Sequence, residues 1–171
     1  MAQKFNSPAC VAGESLVAYA VPAEAQFAPS AIEFMGGARV FEKAPQTRAD
    51  IHAAIVGGLP YSVLWNLLDA ASVLSADDVA GVIGISSRTL RRQKDDLQKP
   101  MPADLGSKTW LFAETLAKAS EVFGSRAAAE RWMTQPAMGL DGSRPLALLA
   151  TVQGTELVTE FLGRLEAGVY N

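Results

Sequence analysis

Apolar residues recur at three- and four-residue spacings along most of the chain after residue 50, the period of helices that bury one face. In YSVLWNLLDAASVL they are Val63, Leu64, Leu67, Leu68 and Ala71. A longer stretch, roughly Leu105 to Phe123, and the last stretch before the C-terminus follow the same spacing. Strand-like alternation of any length is absent from this part of the sequence. The pattern therefore predicts an all-α fold.

Capping residues mark where these helices start and stop. Ser75 precedes ADDVAGVI and Gly84 follows it, which predicts one short helix between them. Ser86 or Ser87 is the predicted N-cap of a second helix, RTLRRQKDDL. Further boundaries are predicted at Asp50 (N-cap), Gly57-Gly58 (stop), Gly124 (stop), Ser125 (N-cap), Pro145 (first turn), Gly154-Thr155 (start of the last helix) and Gly168 (stop).

The first 50 residues are less regular. Four prolines and a Gly-Gly pair interrupt them: Pro8, Pro22, Pro29, Pro45 and Gly36-Gly37. Since no helical or strand period persists through these interruptions, residues 1–50 are predicted to be an N-terminal arm that is partly flexible or ordered by a partner. Regular structure is expected to begin near Asp50.

The segment ADDVAGVIGISSRTLRRQ has the pattern of a helix-turn-helix. Ala80 supplies a small residue at the helix contact, and Gly84 supplies the residue that tolerates the turn. The shared core would come from Val79, Ile83, Ile85 and Leu90. Gln93 departs from the pattern, because an aliphatic residue usually holds the second helix at that position. The pattern predicts a DNA-binding region across residues 51–104.

If Leu90 points inward, four side chains point outward near the start of the second helix: Ser87, Arg88, Arg91 and Arg92. That part of a recognition helix meets base edges and phosphates, and the planar guanidinium group suits both. The alternative is a solvated helix face whose charge is partly offset by Asp95 and Asp96. The accompanying helix-turn-helix pattern favours DNA binding.

Composition bounds the remaining possibilities. The chain has 171 residues, of which 49% are hydrophobic and 19% charged, with a net charge of −3. This is enough for one compact core or one modest domain with appendages. No apolar run approaches the roughly 18 residues of a membrane helix. MAQKFNSPAC carries one lysine and no apolar core behind it, so no secretory signal and a cytoplasmic location are expected.

Cys10 is the only cysteine and His52 the only histidine. An intramolecular disulfide, a multi-thiolate zinc site and an imidazole-pair metal site are therefore excluded. A catalytic triad would have to use His52, which lies on a predicted short helix and is better explained as a structural residue. The glutamates lie on helical faces without an evident paired-carboxylate cleft. We expect no enzyme activity, no cofactor and no metal.

Three stretches, ISSRTLRRQ, SEVFGSRAAAERWM and RPLALLATVQGTELVTEFLGRLEAGVYN, resemble the Xre/MbcA/ParS-type antitoxins over roughly residues 50–171. The most specific positions are Arg88-Thr89-Leu90, Arg92, Val122-Phe123-Gly124, Trp132, Arg144-Pro145-Leu146, Leu148-Leu149, Thr151, Gly154, Val158, Leu162, Arg164, Glu166 and Gly168-Val169. The sequence departs from the family at three positions. Ala147 stands where Asp is common, Gln153 where an acidic residue is common, and Ala167 where His or Tyr often precedes the final glycine.

The resemblance implies an Xre-like helix-turn-helix domain followed by a toxin-binding and dimerisation domain over residues 105–171. It implies a partner, a RES-domain toxin that consumes NAD or transfers its ADP-ribose, held inactive when the antitoxin's C-terminal end covers the NAD pocket. It also implies a homodimer that represses its own operon at operator DNA. The toxin-binding residues would be Arg144, Arg164, Val169, Tyr170 and Asn171.

Other interpretations remain for these residues. The last three residues would be a frayed terminus in an arbitrary protein, and Arg144 would be a loop arginine before a proline-started helix. Trp110 and Trp132 are expected in the core or a dimer interface. The alternative function is a free-standing helix-turn-helix transcription regulator without a toxin partner.

Overall fold

The computed structural model describes residues 29–168, which form nine α-helices and no β-strand. The helices are α1 Pro29–Phe34, α2 Arg48–Gly57, α3 Ser62–Asp69, α4 Ala76–Ile83, α5 Ser87–Arg92, α6 Ala103–Phe123, α7 Arg126–Thr134, α8 Pro145–Leu148 and α9 Val152–Glu166. Short 3-10 turns follow α1, α5 and α7. The predicted all-α fold is confirmed.

Several predicted helix ends are confirmed by their capping contacts. Ser75 begins α4: its hydroxyl oxygen accepts from the N–H of Asp78 at 3.1 Å, and the Asp78 carboxylate accepts from the N–H of Ser75 at 2.9 Å. Ser125 caps α7 in the same position. Gly84 and Gly124 end α4 and α6 with φ of 82° and 76°, where a side chain would be strained.

Two predicted helix starts were wrong. Thr47, not Asp50, is the N-cap of α2, and Asp50 sits three residues later, where its carboxylate accepts from the N–H groups of Gln46 and Thr47. These hydrogen bonds lower the pKa of Asp50. The last helix starts before Gly154, because the Thr151 hydroxyl accepts from the Gly154 N–H and allows the helix to begin at Val152.

Regular structure also begins earlier than the predicted start near Asp50. Helix α1 packs against α6, and Ala31 and Met35 are buried. The Asn66 side chain donates to the Met35 carbonyl at 2.9 Å, which ties the end of α1 to α3. The described part of the predicted arm is therefore folded onto the helices, whereas residues 1–28 lie outside the described residues.

One hydrophobic cluster joins these helices. It runs from Ala31 in α1 to Leu162 in α9, and α6 lies at its centre, packed against α1, α2, α4, α7 and α9. The largest fully buried apolar side chains are Met35, Leu64, Leu67, Ile83, Leu90, Leu116, Met133 and Leu162. The helix-turn-helix and the C-terminal helices both pack against α6. The predicted division of the chain into domains 51–104 and 105–171 stays a prediction.

Candidate functional site

Helices α4 and α5 form the predicted helix-turn-helix. Gly84 provides the turn, and the N–H groups of Gly84 and Ile85 both donate to the Ala80 carbonyl, at 2.9 and 3.0 Å. Val79, Ala80, Ile83 and Leu90 are all at most 1% exposed. The small Ala80 at the contact and the left-handed Gly84 thus allow the two short helices to share one core.

The outward direction of the basic side chains is confirmed. Leu90 is fully buried, whereas Arg88, Arg91 and Arg92 are exposed and Ser87 is half-buried. Ser86 is the N-cap, and its hydroxyl accepts from the Thr89 N–H at 3.0 Å. The recognition helix therefore presents three guanidinium groups within little more than one turn, although their contact with DNA stays a prediction.

These arginines differ in their surroundings. Arg91 lies 3.4 Å from the carboxylate of Asp77 in the first turn of α4, and both side chains are largely exposed. In the described part of the chain, Arg88 and Arg92 form no ion pair. Because exposed ion pairs contribute little, Arg91 can exchange Asp77 for a phosphate at low cost.

Gln93, the departure from the helix-turn-helix pattern, does not displace the recognition helix. It is only 8% exposed and lies where α5 passes into a 3-10 turn, Gln93–Asp95. Beyond it, Lys94 places its ammonium group 5.0 Å from the centre of the Trp65 ring on α3, a cation–π contact. The end of α5 is thus held by a buried amide side chain and by packing against α3.

Lys108 brings a further positive charge to the turn. It is exposed on α6, and its Nζ atom is so close to Gly84 that a Cβ atom built there would lie 3.0 Å away. Sequence reasoning missed this residue, because it follows the turn by more than 20 positions and belongs to another helix. Only the packing of α6 against α4 reveals it.

The C-terminal helices carry the other predicted site residues. Arg144 is exposed and is the N-cap of α8, with Pro145 at the first helical position, as predicted. Arg164 is exposed on α9, 3.8 Å from Glu160 and 5.7 Å above the Phe161 ring. Val169, Tyr170 and Asn171 lie outside the described residues.

A buried ion pair, also missed by sequence reasoning, links α7 to the loop before α4. Glu130 is fully buried, and one carboxylate oxygen accepts from the N–H groups of Ser72 at 2.8 Å and Val73 at 2.7 Å. Its other oxygen accepts from Arg126 Nε at 2.8 Å. The Arg126 guanidinium also donates to the Leu67 carbonyl. Loop, α3 and α7 are therefore fixed together by one charged contact.

The protonation of Glu130 follows from the same contacts. Burial by itself raises the pKa of a carboxyl group, but the hydrogen bond from Arg126 and those from Val73 and Ser72 favour the charged form. The net result is a lowered pKa, so the carboxylate is charged at neutral pH. In the sequence, Arg126 and Glu130 are an ordinary pair four residues apart, and nothing in that spacing indicates burial.

Trp132 and Trp110 occupy different environments. Trp110 is buried, with its indole N–H donating to Glu114 at 2.9 Å. Trp132 is half-buried and lies between the rings of Phe123 and Phe161, with centroid distances of 5.0 and 6.1 Å. Of the two predicted locations, core or dimer interface, Trp110 therefore occupies the core. Trp132 belongs to a row of aromatic rings at the surface.

Residues 29–168 contain no group of three metal-ligating side chains and no helix long and apolar enough to cross a membrane. What the fold does define is a helix-turn-helix protein in which the recognition helix exposes arginines and a second set of helices completes the core.

Comparison with known proteins identifies this class more closely. Residues 50–114 match the family model "Antitoxin Xre-like helix-turn-helix domain", and residues 118–168 match "Antitoxin Xre/MbcA/ParS C-terminal toxin-binding domain". The chain is similar to Antitoxin Xre of Pseudomonas putida strain KT2440, with 29% identity over 70% of this chain and 72% of that protein. It is similar to Antitoxin Xre of Yersinia enterocolitica, with 31% identity over 63% of this chain and 69% of that protein.

The chain belongs to the Xre family of antitoxins. It is an antitoxin with a DNA-binding helix-turn-helix and a toxin-binding C-terminal region, and it is not an enzyme. A 52-residue stretch is also 44% identical to part of 6-hydroxy-3-succinoylpyridine 3-monooxygenase HspA from Pseudomonas putida strain S16, but it covers only 17% of that protein. A match to so small a part of that enzyme gives no reason to assign its activity to this chain.

Proposed function

We propose that this antitoxin neutralises a RES-domain toxin that consumes NAD or transfers its ADP-ribose, and that it represses its own operon as a homodimer. The observation that carries the proposal is that an exposed-arginine recognition helix and a match to the toxin-binding domain occur in one folded chain. A free-standing transcription regulator would need the first feature and not the second.

Neutralisation is assigned to the C-terminal end. Helix α9 ends at Glu166, and Gly168, two residues later, has a φ of 69°, the left-handed conformation common where a helix terminates. Tyr170 brings a flat ring with a polar tip, and Asn171 brings an amide. Such groups match the mixed apolar and hydrogen-bonding character of a dinucleotide pocket. Arg164, two residues before the helix end, is suited to the phosphate-binding part of the pocket, and Arg144 to its edge.

Repression is assigned to Ser87, Arg88, Arg91 and Arg92. A homodimer would present two recognition helices to successive major-groove segments, which requires an operator with two half-sites about one helical turn apart. Since the overall charge is −3, the approach to DNA depends on the local field of α5 and not on net charge.

The test of this proposal is removal of residues 169–171, with a chain of full length in which they are replaced by Gly-Ser-Ser as the matched control. Both variants are expected to lose neutralisation of the toxin encoded beside this gene, measured as cell growth and NAD content on co-expression. Both are expected to keep operator binding, because α5 is untouched. Full neutralisation by either variant would contradict the assignment to the C-terminal end.

The neighbouring reading frame separates the two functions. A RES-domain gene in the same operon supports the antitoxin proposal, whereas a regulator acting alone would have none beside it.

A further inference from the structure

Three large apolar side chains in the C-terminal region are exposed: Met138, Val152 and Leu157. Met138, in the 3-10 turn Met138–Leu140 after α7, is 91% exposed, and Leu157 on α9 is 53% exposed. Single exposed apolar residues are ordinary in folded proteins and need no explanation. Met138 and Leu157 differ from such single residues because both lie near the same aromatic ring.

That ring belongs to Phe161. Leu157 precedes it by four positions on α9, so the two side chains share one helix face. Gly139 packs so closely against Phe161 that any Cβ atom there would overlap the ring, which places the backbone of Met138, the preceding residue, near it. We name Met138, Leu157 and Phe161 the apolar face.

The apolar face has a firm support. Behind Phe161, the Trp132 ring is stacked at 8° to it, and Phe123 packs against Trp132 in turn. The loop that carries Met138 is closed by the Ala137 N–H donating to the Ser143 carbonyl at 3.0 Å. Ala137 and Leu140, on either side of Met138, are buried. Met138 is thus presented by an anchored loop, so little backbone conformational entropy is lost when a partner covers it.

The surroundings of the face indicate its occupant. The three residues of the face, together with Trp132 and Phe123 behind it, lie within residues 118–168, the part that matches the toxin-binding domain. Arg164, assigned above to toxin binding, packs on Phe161, and the loop of Met138 ends at Arg144, the other such arginine. The apolar face therefore lies beside the two arginines that the proposed function assigns to toxin binding. A methionine and an aromatic ring bordered by charged side chains also have the composition of an interface core with its rim.

We propose that the apolar face is a second, separate contact with the toxin, in which Met138 enters an apolar depression on the toxin surface outside its NAD pocket. This inference rests on the proposed function. In this arrangement the face supplies most of the binding and the C-terminal end supplies the inhibition.

The test uses full-length chains carrying Met138→Glu or Leu157→Glu, with Val56→Glu as the matched control. Val56 is an exposed apolar residue, 63% accessible, on α2 and outside the toxin-binding match. Titration against the RES-domain protein of the same operon is expected to show at least about tenfold weaker binding for the first two variants and unchanged binding for the third. Thermal unfolding and operator binding should match the wild type in all three, because the altered side chains are exposed.

A second arm separates the face from the C-terminal end. The chain lacking residues 169–171 is expected to bind the toxin still without inhibiting it, and Met138→Glu in that background should abolish binding. Unchanged toxin affinity in both face variants would overturn the inference. So would a loss of antitoxin self-association with toxin affinity retained, since a second copy would then cover the face. Failure of the wild-type chain to bind the toxin would instead overturn the proposed function.

Discussion

At the scale of single residues, Asp77 limits the positive charge that α5 can offer to DNA. Its carboxylate lies 3.4 Å from Arg91 and would face the same phosphates that Arg91 is proposed to bind. Breaking this exposed pair costs little, but the repulsion between Asp77 and the DNA backbone remains in the complex. We therefore expect the affinity for operator DNA to depend on Asp77 as well as on Arg88, Arg91 and Arg92.

Removing a positive charge from this surface should weaken operator binding, and removing the negative charge of Asp77 should strengthen it. Arg88→Ala is expected to weaken operator binding about tenfold, because a guanidinium contact to bases or phosphates is lost. Asp77→Asn is expected to strengthen it about two- to fivefold. Arg131→Ala, an exposed arginine on α7, serves as the control and should leave affinity unchanged. The measurement is fluorescence anisotropy with the operon's promoter DNA at several salt concentrations; equal affinities for all three variants would contradict the assigned recognition helix.

The sequence sufficed for the direction of Arg88 because Leu90, two positions away, had to point into the core. It was insufficient for the pairing of Arg91 with Asp77, since this depends on the angle at which α4 and α5 cross. The same holds for Met138: a methionine in a loop between two helices is as compatible with burial as with 91% exposure. Its position depends on the packing of Gly139 against Phe161, which the sequence does not indicate.

At the scale of elements, the short helices depend on their ends and on buried neighbours. Ser75, Ser86 and Ser125 were predictable as N-caps because a serine hydroxyl reaches only the next few N–H groups. The prediction of Asp50 as N-cap was wrong because Thr47 and Asp50 together form a capping box, and from the sequence either residue could be the N-cap. Gly154 was predicted as a boundary but is buried within α9, where a Cβ atom would overlap the Leu148 carbonyl. Close approaches of this kind leave no periodic pattern.

Helix α7 stabilises the position of α4 through Glu130. Glu130→Gln is expected to lower the free energy of unfolding by about 3–5 kcal/mol, since Arg126 would keep a buried charge without its partner. Urea unfolding followed by circular dichroism at neutral pH measures this change. Glu156→Gln, at an exposed position of α9, is the control and should change stability by less than about 0.5 kcal/mol.

The pH dependence of stability provides a second test of the contact between Glu130 and Arg126. The folded-state pKa of Glu130 is lowered, so its stabilisation is fully present above the ordinary carboxyl pKa of 4.5 and is lost as the pH falls through the folded-state value. The stability difference between wild type and Glu130→Gln should therefore shrink below about pH 4.5. A difference that stays constant from pH 7 to pH 3 would show that Glu130 does not act through its charge.

At the scale of the whole molecule, charge and core are organised differently. The positive charge is local: Arg88, Arg91, Arg92 and Lys94 lie on and after α5, and Lys108 lies beside the turn, while the chain as a whole is acidic. The local cluster was visible in the sequence, except for Lys108. The hydrophobic core is shared, because α6 buries residues against both the helix-turn-helix and the C-terminal helices.

This shared core predicts one cooperative unfolding transition in place of two. Trp65 lies on α3 beside the helix-turn-helix and Trp132 on α7 in the toxin-binding region, so Trp65→Phe and Trp132→Phe leave fluorescence reporters weighted to opposite parts of the molecule. Each variant should show the same urea midpoint by fluorescence and by circular dichroism, because neither region can expose α6 without the other losing its support. A fluorescence midpoint that differs from the circular dichroism midpoint in either variant would mean that the regions unfold independently. In that case toxin binding at the C-terminal helices could not influence the recognition helix through the core. A single transition would instead mean that the shared core can couple toxin binding to operator binding.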